Sequence, residues 1–411
     1  MSATARVLAG LALGALAGLL LAALAPAFAA RAADAVQPFG RLWLDALQMT
    51  VVPLVLALVV VGVNTAADAA ASGRIARRAI VVFIALLAFG ALLAALAAPL
   101  LFALFPRHAA LADALAHAAV PAGVRTAPVG WADALLAAVP ANPVLAASQG
   151  AMLPLVVFAL FLGFAITRIE PARRRLLVEF FQAVADAMTA IVRWVLFVAP
   201  LGVFALIFAL CARAGLGMLG ALGVYVLVEC ILYLAATLAM LAVAALWGGM
   251  PPRRFAAAAA PAQAVAASTQ SSLASLPAML EGADRLGQPR QASALVLPMA
   301  VSLFRLTSPV QYVVSACFIA WALGLHLGPA QLLAGAGLAV VISLGSIGLP
   351  GQVTFIATNL PVAQAMGVPV GPLGLMLAVD ALPDVLATLG NVTADMAAAT
   401  VVARRAMDEP T

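Results

Sequence analysis

The segment DALPDVLATLGNVTAD, residues 380–395, decides the fold of this chain because it sets acidic and amide side chains among apolar ones. At intervals of four, four, three and four residues, its polar positions are Asp380, Asp384, Thr388, Asn391 and Asp395. At about 100° per residue, this spacing predicts one polar face on a single helix. A carboxylate at the centre of a bilayer costs on the order of 3 kcal/mol or more, so three of them need partners.

The composition places this segment in a membrane. The chain has 411 residues, of which 66% are hydrophobic and only 9% are charged, and its mean hydropathy is +1.15. Soluble domains carry about 25% charged residues. We therefore predict an all-α polytopic membrane protein that forms a single transmembrane unit over residues 1–411.

Apolar runs of spanning length indicate eight membrane helices. They lie near residues 6–30, 47–66, 79–104, 151–167, 188–212, 217–247, 292–325 and 372–403. Two more apolar segments, 254–280 and 330–366, are interrupted by Ser, Gly and Pro, including Pro277 in the first. Paired broken segments are typical of a transporter binding site, because freed backbone groups are tolerated at membrane depth only inside protein or beside water.

The net charge of +5 comes from arginine alone, since the sequence contains no lysine. The arginines form short clusters between apolar runs, which excludes a nucleic-acid surface and predicts that both termini are cytoplasmic. Residues 106–150 are expected to form a long excursion on the opposite side. We predict a multi-pass protein of the bacterial cytoplasmic (inner) membrane.

The polar face has two interpretations from the residues alone. It is either a ligand site for cations or ammonium groups, or a set of interhelical salt bridges, for which Arg305 is the internal candidate. An enzyme is not indicated, because the sequence has neither a nucleophile–base pair nor a phosphate-binding loop.

Several motifs, in order, resemble the dicarboxylate/amino acid:cation symporters, the glutamate-transporter family. QMTVVPLV at 48–55 resembles the family's KMIVVPLV, and NP at 142–143 with LPLVVF at 153–158 resembles NP…LPVIVF. TQSSLASLP at 269–277 and SLGSIGLPG at 343–351 resemble the tips of its two re-entrant hairpins. DALPD at 380–384 and NVTAD at 391–395 resemble its last helix.

The resemblance implies a fold that the residue patterns alone do not give. This fold has eight transmembrane helices, two re-entrant hairpins, inverted repeats and a homotrimeric assembly. A scaffold part would cover about 1–78 and 131–215, and a transport core about 79–105 and 216–405.

The resemblance also implies roles for residues. Asp384 would hold a substrate ammonium group and Asn391 its carboxylate, with Ser272 assisting. The other members of the implied substrate site are Ser308, Leu349, Ala387 and Thr388. The implied cation or charge-compensating positions are Asp395, Asn391, Arg305, Asp380, Ser302, Ser343 and Ser346, with a residual sodium site at Asn391 and Asp395. No cofactor is expected, and the coupling ion is sodium or a proton.

The chain departs from the family at its deep sodium site. FRLTS at 304–308 stands where the family has NMDGT, and an ungapped alignment puts Ile84, Leu87 and Ala88 at the third helix's Tyr and Thr-Ser positions. Sodium needs several oxygen ligands, by extension of the rule for hard cations, so this site is expected not to bind it.

Arg305 is the sharpest of these departures, and three hypotheses stand for it. Its guanidinium replaces sodium by neutralising Asp395; or it binds an acidic group of the substrate, for which a forked donor is suited; or it is a structural or snorkelling side chain.

The expected substrate is a small amino acid or dicarboxylate. The family's arginine for acidic side chains is replaced by Ala387, and the first hairpin's arginine by Gln270. These losses favour a neutral amino acid, with an acidic one kept open through Arg305. The alternative functions are a sodium-independent exchanger, a uniporter, or a sensor that does not transport.

Overall fold

The computed structural model describes residues 3–71, 73–106, 139–214, 216–345 and 351–407. All regular secondary structure in these ranges is α-helical. The helices are α1 (Ala3–Leu24), α2 (Pro26–Gln48), α3 (Val51–Ala71), α4 (Arg74–Ala103), α5 (Pro143–Ser148), α6 (Met152–Ile166), α7 (Pro171–Phe197), α8 (Ala199–Ala214), α9 (Leu216–Leu246), α10 (Pro252–Thr269), α11 (Ser272–Arg285), α12 (Arg290–Leu303), α13 (Thr307–Leu323), α14 (Pro329–Gly345), α15 (Gly351–Ala365), α16 (Leu373–Val379) and α17 (Asp384–Met407).

The lengths and compositions of these helices confirm an all-α polytopic membrane protein. Within the described residues, six helical stretches are long and apolar enough to cross a membrane, and four shorter apolar helices accompany them. The six are Phe28–Ala71, Arg74–Ala103, Pro171–Phe197, Gly220–Leu246, Arg290–Leu323 and Asp384–Arg404.

The first predicted span, 6–30, is wrong in its extent. Helix α1 ends at Leu24, Ala25 adopts φ −149°, and Pro26 begins α2. Proline suits the first position of a helix because its φ is already helical and its missing N–H has no partner to lose there. Helices α1 and α2 then both pack against α8.

Three further predicted spans, 188–212, 292–325 and 372–403, are also interrupted. The breaks fall at Val198, at Phe304–Leu306 and at 380–383. A proline follows or ends each break: Pro200, Pro309 and Pro383. Proline has no N–H to donate to the carbonyl four residues earlier, so the helix is weakened just before it. The last predicted helix is therefore two, α16 and α17.

Helices α10 and α11 form a tight helix–turn–helix, which confirms an interruption in segment 254–280. Gln270 ends α10 in the left-handed region with φ 52°, and Ser271 caps α11 by accepting a hydrogen bond at 3.2 Å from the N–H of Ala274. Pro277 lies inside α11 and does not break it. In the second broken segment α14 and α15 are helical, and the connecting residues 346–350 lie outside the described residues.

Several implied features stay predictions. They are the re-entry of the two hairpins from their side of the membrane, the inverted repeats, the division into scaffold and transport core, the homotrimer and the cytoplasmic termini. Most of the predicted excursion 106–150 lies outside the described residues, apart from its end, which contains α5.

The break between α12 and α13 is held against α4 by a close backbone contact. A Cβ on Gly90 would lie 2.9 Å from the carbonyl oxygen of Leu306. Backbone cannot withdraw as the end of a side chain can, so only glycine fits here without displacing the break. Gly90 therefore fixes how closely α4 approaches the residues that precede α13.

We predict that Gly90→Ala destabilises the protein by about 1–3 kcal/mol, the usual cost of overpacking a tight contact. Thermal unfolding of the purified protein in detergent would show this as a lower midpoint. Gly220→Ala is the matched control, because a Cβ at Gly220 meets no atom within 4 Å. Equal midpoints for the Gly90 and Gly220 variants would contradict the close contact.

Candidate functional site

The N-terminus of α13 is tied to α17 by one amide side chain. The Oδ1 atom of Asn391 accepts hydrogen bonds from the backbone N–H of Thr307 at 3.0 Å and from its hydroxyl at 2.9 Å. The first N–H groups of a helix have no partner within it, so an outside acceptor stabilises the helix start. Asn391 thus joins α17 to the start of α13, directly after the break that follows α12.

Two other members of the implied substrate site lie beside this link. The hydroxyl of Thr307 also lies 3.3 Å from the carbonyl oxygen of Ala387. The hydroxyl of Thr388 donates to the carbonyl of Asp384 at 2.9 Å, which leaves its lone pairs as acceptors. Ala387 and Thr388 are both buried.

Asp384 is the first residue of α17 and is half-buried. The N-terminus of a helix carries a partial positive charge, which favours a carboxylate at this position. The guanidinium of Arg305 acts on this carboxylate electrostatically. Asp384 is therefore favoured at the start of α17 and has a cationic neighbour, Arg305, in the α12–α13 break.

Asp395 lies about three turns further along α17 than Asp384 and is fully buried. Neither of its carboxylate oxygens has a hydrogen-bond partner among the described residues. Arg305 acts electrostatically on this carboxylate as well. A buried ionised carboxylate without hydrogen bonds bears a large desolvation cost, so Asp395 is poised to receive a cation or a proton.

Arg305 is half-buried in the break itself, between Phe304 and Leu306. Because its backbone is outside any helix, its side chain is not confined to a helix face. Its guanidinium acts electrostatically on both Asp384 and Asp395. The structure thus brings together the arginine and the two acids that the sequence singled out.

Asp380 corrects the predicted polar face. It lies in the turn between α16 and α17, so it does not share a helix face with Asp384 and Asp395. Its Oδ1 accepts a hydrogen bond of 2.5 Å from the side-chain amide of Gln311 on α13. Asp380 is fully buried, and Asp384 acts on it electrostatically.

Glu229 on α9 is a buried acid that the sequence did not place. Its side chain is 0% exposed, and its Oε1 accepts a hydrogen bond of 2.7 Å from Tyr233. It acts electrostatically on Asp380 and lies within reach of Asp384. A single charged residue within an apolar run was the only sequence signal for it.

Apolar side chains pack together where the resemblance places the family's deep sodium site. Phe304 stacks on Phe83 of α4, with ring centroids 4.9 Å apart, and Leu306 and Leu87 are fully buried. Ile84 is 41% exposed, so the ungapped placement of this residue at the site is wrong. Phe83, one residue earlier, faces the site in its place.

The remaining residues of the implied sites lie on several different helices. Ser272 and Ser308 are half-buried near the starts of α11 and α13. Ser302 is exposed and donates to the carbonyl of Pro298 at 2.9 Å, while Ser343 is buried on α14. Ser346 and Leu349 lie outside the described residues, so the second cation site stays a prediction.

Comparison with known proteins now adds to this geometry. The sodium:dicarboxylate symporter family matches residues 3–405. The chain belongs to this family. It is therefore a membrane transport protein, in agreement with its apolar helices.

Named relatives cover nearly the whole chain. The proton/glutamate-aspartate symporter of Escherichia coli (strain K12) is 27% identical over 90% of this chain and 85% of its own length. The proton/sodium-glutamate symport protein of Bacillus subtilis (strain 168) is 28% identical over 90% and 86%. The C4-dicarboxylate transport protein of Anaeromyxobacter sp. (strain K) is 27% identical over 90% and 84%.

We predict that Asn391→Leu lowers the free energy of unfolding by about 1–3 kcal/mol, because it leaves the N–H of Thr307 buried without an acceptor. Thr307→Val is the matched control, since it removes the hydroxyl but keeps the N–H···Oδ1 bond, and a smaller loss is expected. Thermal unfolding in detergent measures both. An Asn391→Leu midpoint equal to that of the wild type would contradict the link between α13 and α17.

We also predict that Arg305→Met destabilises the protein by up to about 3–5 kcal/mol, because it leaves the buried carboxylate of Asp395 without its cationic neighbour. Adding Asp395→Asn to Arg305→Met should recover part of the loss, because the uncompensated charge is then gone. Arg193→Met, at an exposed arginine of α7, is the control. If Arg305→Met is as stable and active as the wild type, charge compensation by Arg305 is wrong.

Proposed function

We propose that the protein is a secondary active transporter that moves a small amino acid across the bacterial cytoplasmic membrane by cation symport. A neutral amino acid is favoured as the substrate. The observation that carries the proposal is the arrangement at the start of α17, where Asn391 holds the start of α13 and Asp384 has Arg305 as a cationic neighbour.

The pocket offers complementary groups to a zwitterion. Asp384 would accept hydrogen bonds from the α-ammonium group, which is a charge-assisted pairing. Because Oδ1 of Asn391 accepts from Thr307, its amide nitrogen is left to donate to the substrate carboxylate. Ser272, Ser308 and Leu349 would complete the pocket from the hairpins and α13.

The charges of the proposed pocket favour a neutral side chain. Ala387 supplies no cation where the family's arginine holds an acidic group. Asp384 and Asp395 together outnumber Arg305 by one negative charge, so a substrate with no net charge adds the least repulsion.

An acidic amino acid or a dicarboxylate is the second candidate. Arg305 lies near enough to Asp384 to act on it electrostatically, and its forked guanidinium is suited to bind a second carboxylate of the substrate. The names of the relatives, which include glutamate, aspartate and C4-dicarboxylates, support this candidate.

Coupling would depend on a reduced set of cation sites. The stacked rings of Phe83 and Phe304 offer sodium no side-chain oxygen ligands where the deep site is expected, and Arg305 would offset the charge of Asp395. A residual sodium site at Asn391 and Asp395 is the remaining place for a metal ion. The names of two relatives mention a proton, which supports proton coupling as the other source of energy.

The rival function keeps the same pocket without coupled transport: a sodium-independent exchanger or uniporter, or a sensor. We also propose the homotrimer that the family resemblance implies.

Uptake into proteoliposomes tests the proposal. We expect saturable uptake of at least one of alanine, serine, glutamate, aspartate and succinate, unchanged when choline replaces sodium and increased by an inward proton gradient. Asp384→Asn, which keeps the shape but removes the charge, should lose affinity for amino acids more than for succinate. Exchange without accumulation would favour the uncoupled exchanger, and no flux of any substrate would favour a sensor.

A further inference from the structure

Glu229 lies near the middle of α9 and has no role in the pocket described above. Its side chain is 0% exposed. Its Oε1 is held by the hydroxyl of Tyr233 at 2.7 Å, whereas Oε2 has no hydrogen-bond partner among the described residues. An ionisable side chain at membrane depth is costly, so its retention in a buried place points to a function.

The surroundings of Glu229 come from four elements. Tyr225, Tyr233 and Cys230 face it from α9 itself, and Gln311 approaches it from α13. Asp380 in the α16–α17 turn and Asp384 at the start of α17 act on it electrostatically.

These groups are arranged for a proton more than for a metal ion. The amide of Gln311 donates to Asp380, and the hydroxyl of Tyr233 donates to Glu229. Donor hydrogens pointing at the carboxyl oxygens would repel a metal cation from the same place. They suit acids that share protons, since carboxylates close together in a water-poor space cannot all be ionised.

The cluster also has too little positive charge. Among the described residues Arg305 acts on Asp384 and Asp395, and its single charge cannot offset three buried acids and the half-buried Asp384. If Glu229 and Asp380 were both ionised, Asp384 would be driven to take up a proton and could no longer pair with an ammonium group. A proton placed on Glu229 removes this repulsion and leaves Asp384 ionised.

We propose that Glu229 carries the proton that is cotransported with the substrate, through its unpartnered Oε2. This inference rests on the proposed transport function and names the group that couples it to protons. Proton binding at Glu229 and substrate binding at Asp384 then strengthen each other, as linkage requires. The loaded core also crosses the membrane with one charge fewer.

The variant Glu229→Gln tests the assignment because glutamine has the shape of the protonated acid. For one proton per substrate, a gradient of about one pH unit supports about tenfold accumulation in wild-type proteoliposomes. We expect Glu229→Gln to lose this accumulation while still exchanging labelled for unlabelled substrate. Glu179→Gln, at an exposed glutamate of α7, should behave as the wild type.

A second variant keeps the test valid if Glu229→Gln does not fold. Tyr233→Phe removes the hydrogen bond to Oε1 and leaves the carboxyl group in place. Losing a donor to the ionised form should move the pH profile of accumulation toward alkaline pH, which a purely structural role would not do. An unmoved profile would count against the assignment.

The outcomes separate the two proposals. A proton-driven accumulation that is equal in Glu229→Gln and wild type overturns the role of Glu229 and leaves the transport function standing. Accumulation driven by sodium alone does the same. A wild-type protein that neither accumulates nor exchanges any substrate of the panel overturns the transport function and the role of Glu229 with it.

Discussion

The desolvation of buried carboxylates is the constraint on which the rest of the site depends. Asp380, Asp395 and Glu229 are buried in an apolar helical protein, and Asp384 is partly so. Each needs a donor, a cation or a proton, because hydrocarbon offers none of these. Gln311 donates a hydrogen bond to Asp380, and Tyr233 donates one to Glu229. Arg305 acts electrostatically on Asp384 and Asp395. The division of the acids into two groups follows from which partner reaches which acid.

The breaks in the helices make this division geometrically feasible. A continuous helix would hold Arg305 on one face, whereas the extended backbone at Phe304 lets the chain turn before α13 begins at Thr307. The N–H that this break exposes is taken up by Asn391, so the same amide that completes the helix start also faces the pocket. Ligand binding at Asn391 would therefore act on α13 and α17 together.

The sequence predicted the all-α membrane class and the regions of apolar helix, because hydropathy is a local signal. The helical spacing predicted Asp384, Asn391 and Asp395 on one face and made Arg305 their candidate partner, whereas the family motifs supplied the roles implied for them. The sequence did not place Glu229, whose partners on α13, α16 and α17 lie far along the chain and are joined to it by tertiary packing alone. The single helix expected for residues 372–403 failed because Pro383 outweighed the apolar periodicity.

The substitutions at the deep site make physical sense only as a set. An apolar residue at position 304 or 306 alone would remove one of the expected sodium ligands and leave the others in place. Asp395 would then still face a site built for a cation. With Phe304 stacked on Phe83 and Leu306 buried, no metal is needed to hold these helices together. In the proposed arrangement Asp395 needs a permanent positive neighbour, and Arg305, which lies between residues 304 and 306, acts on it electrostatically. Under the proposed function, a site that carries its own cation gives up one ion gradient as an energy source, and Glu229 is the place proposed for another ion, the proton.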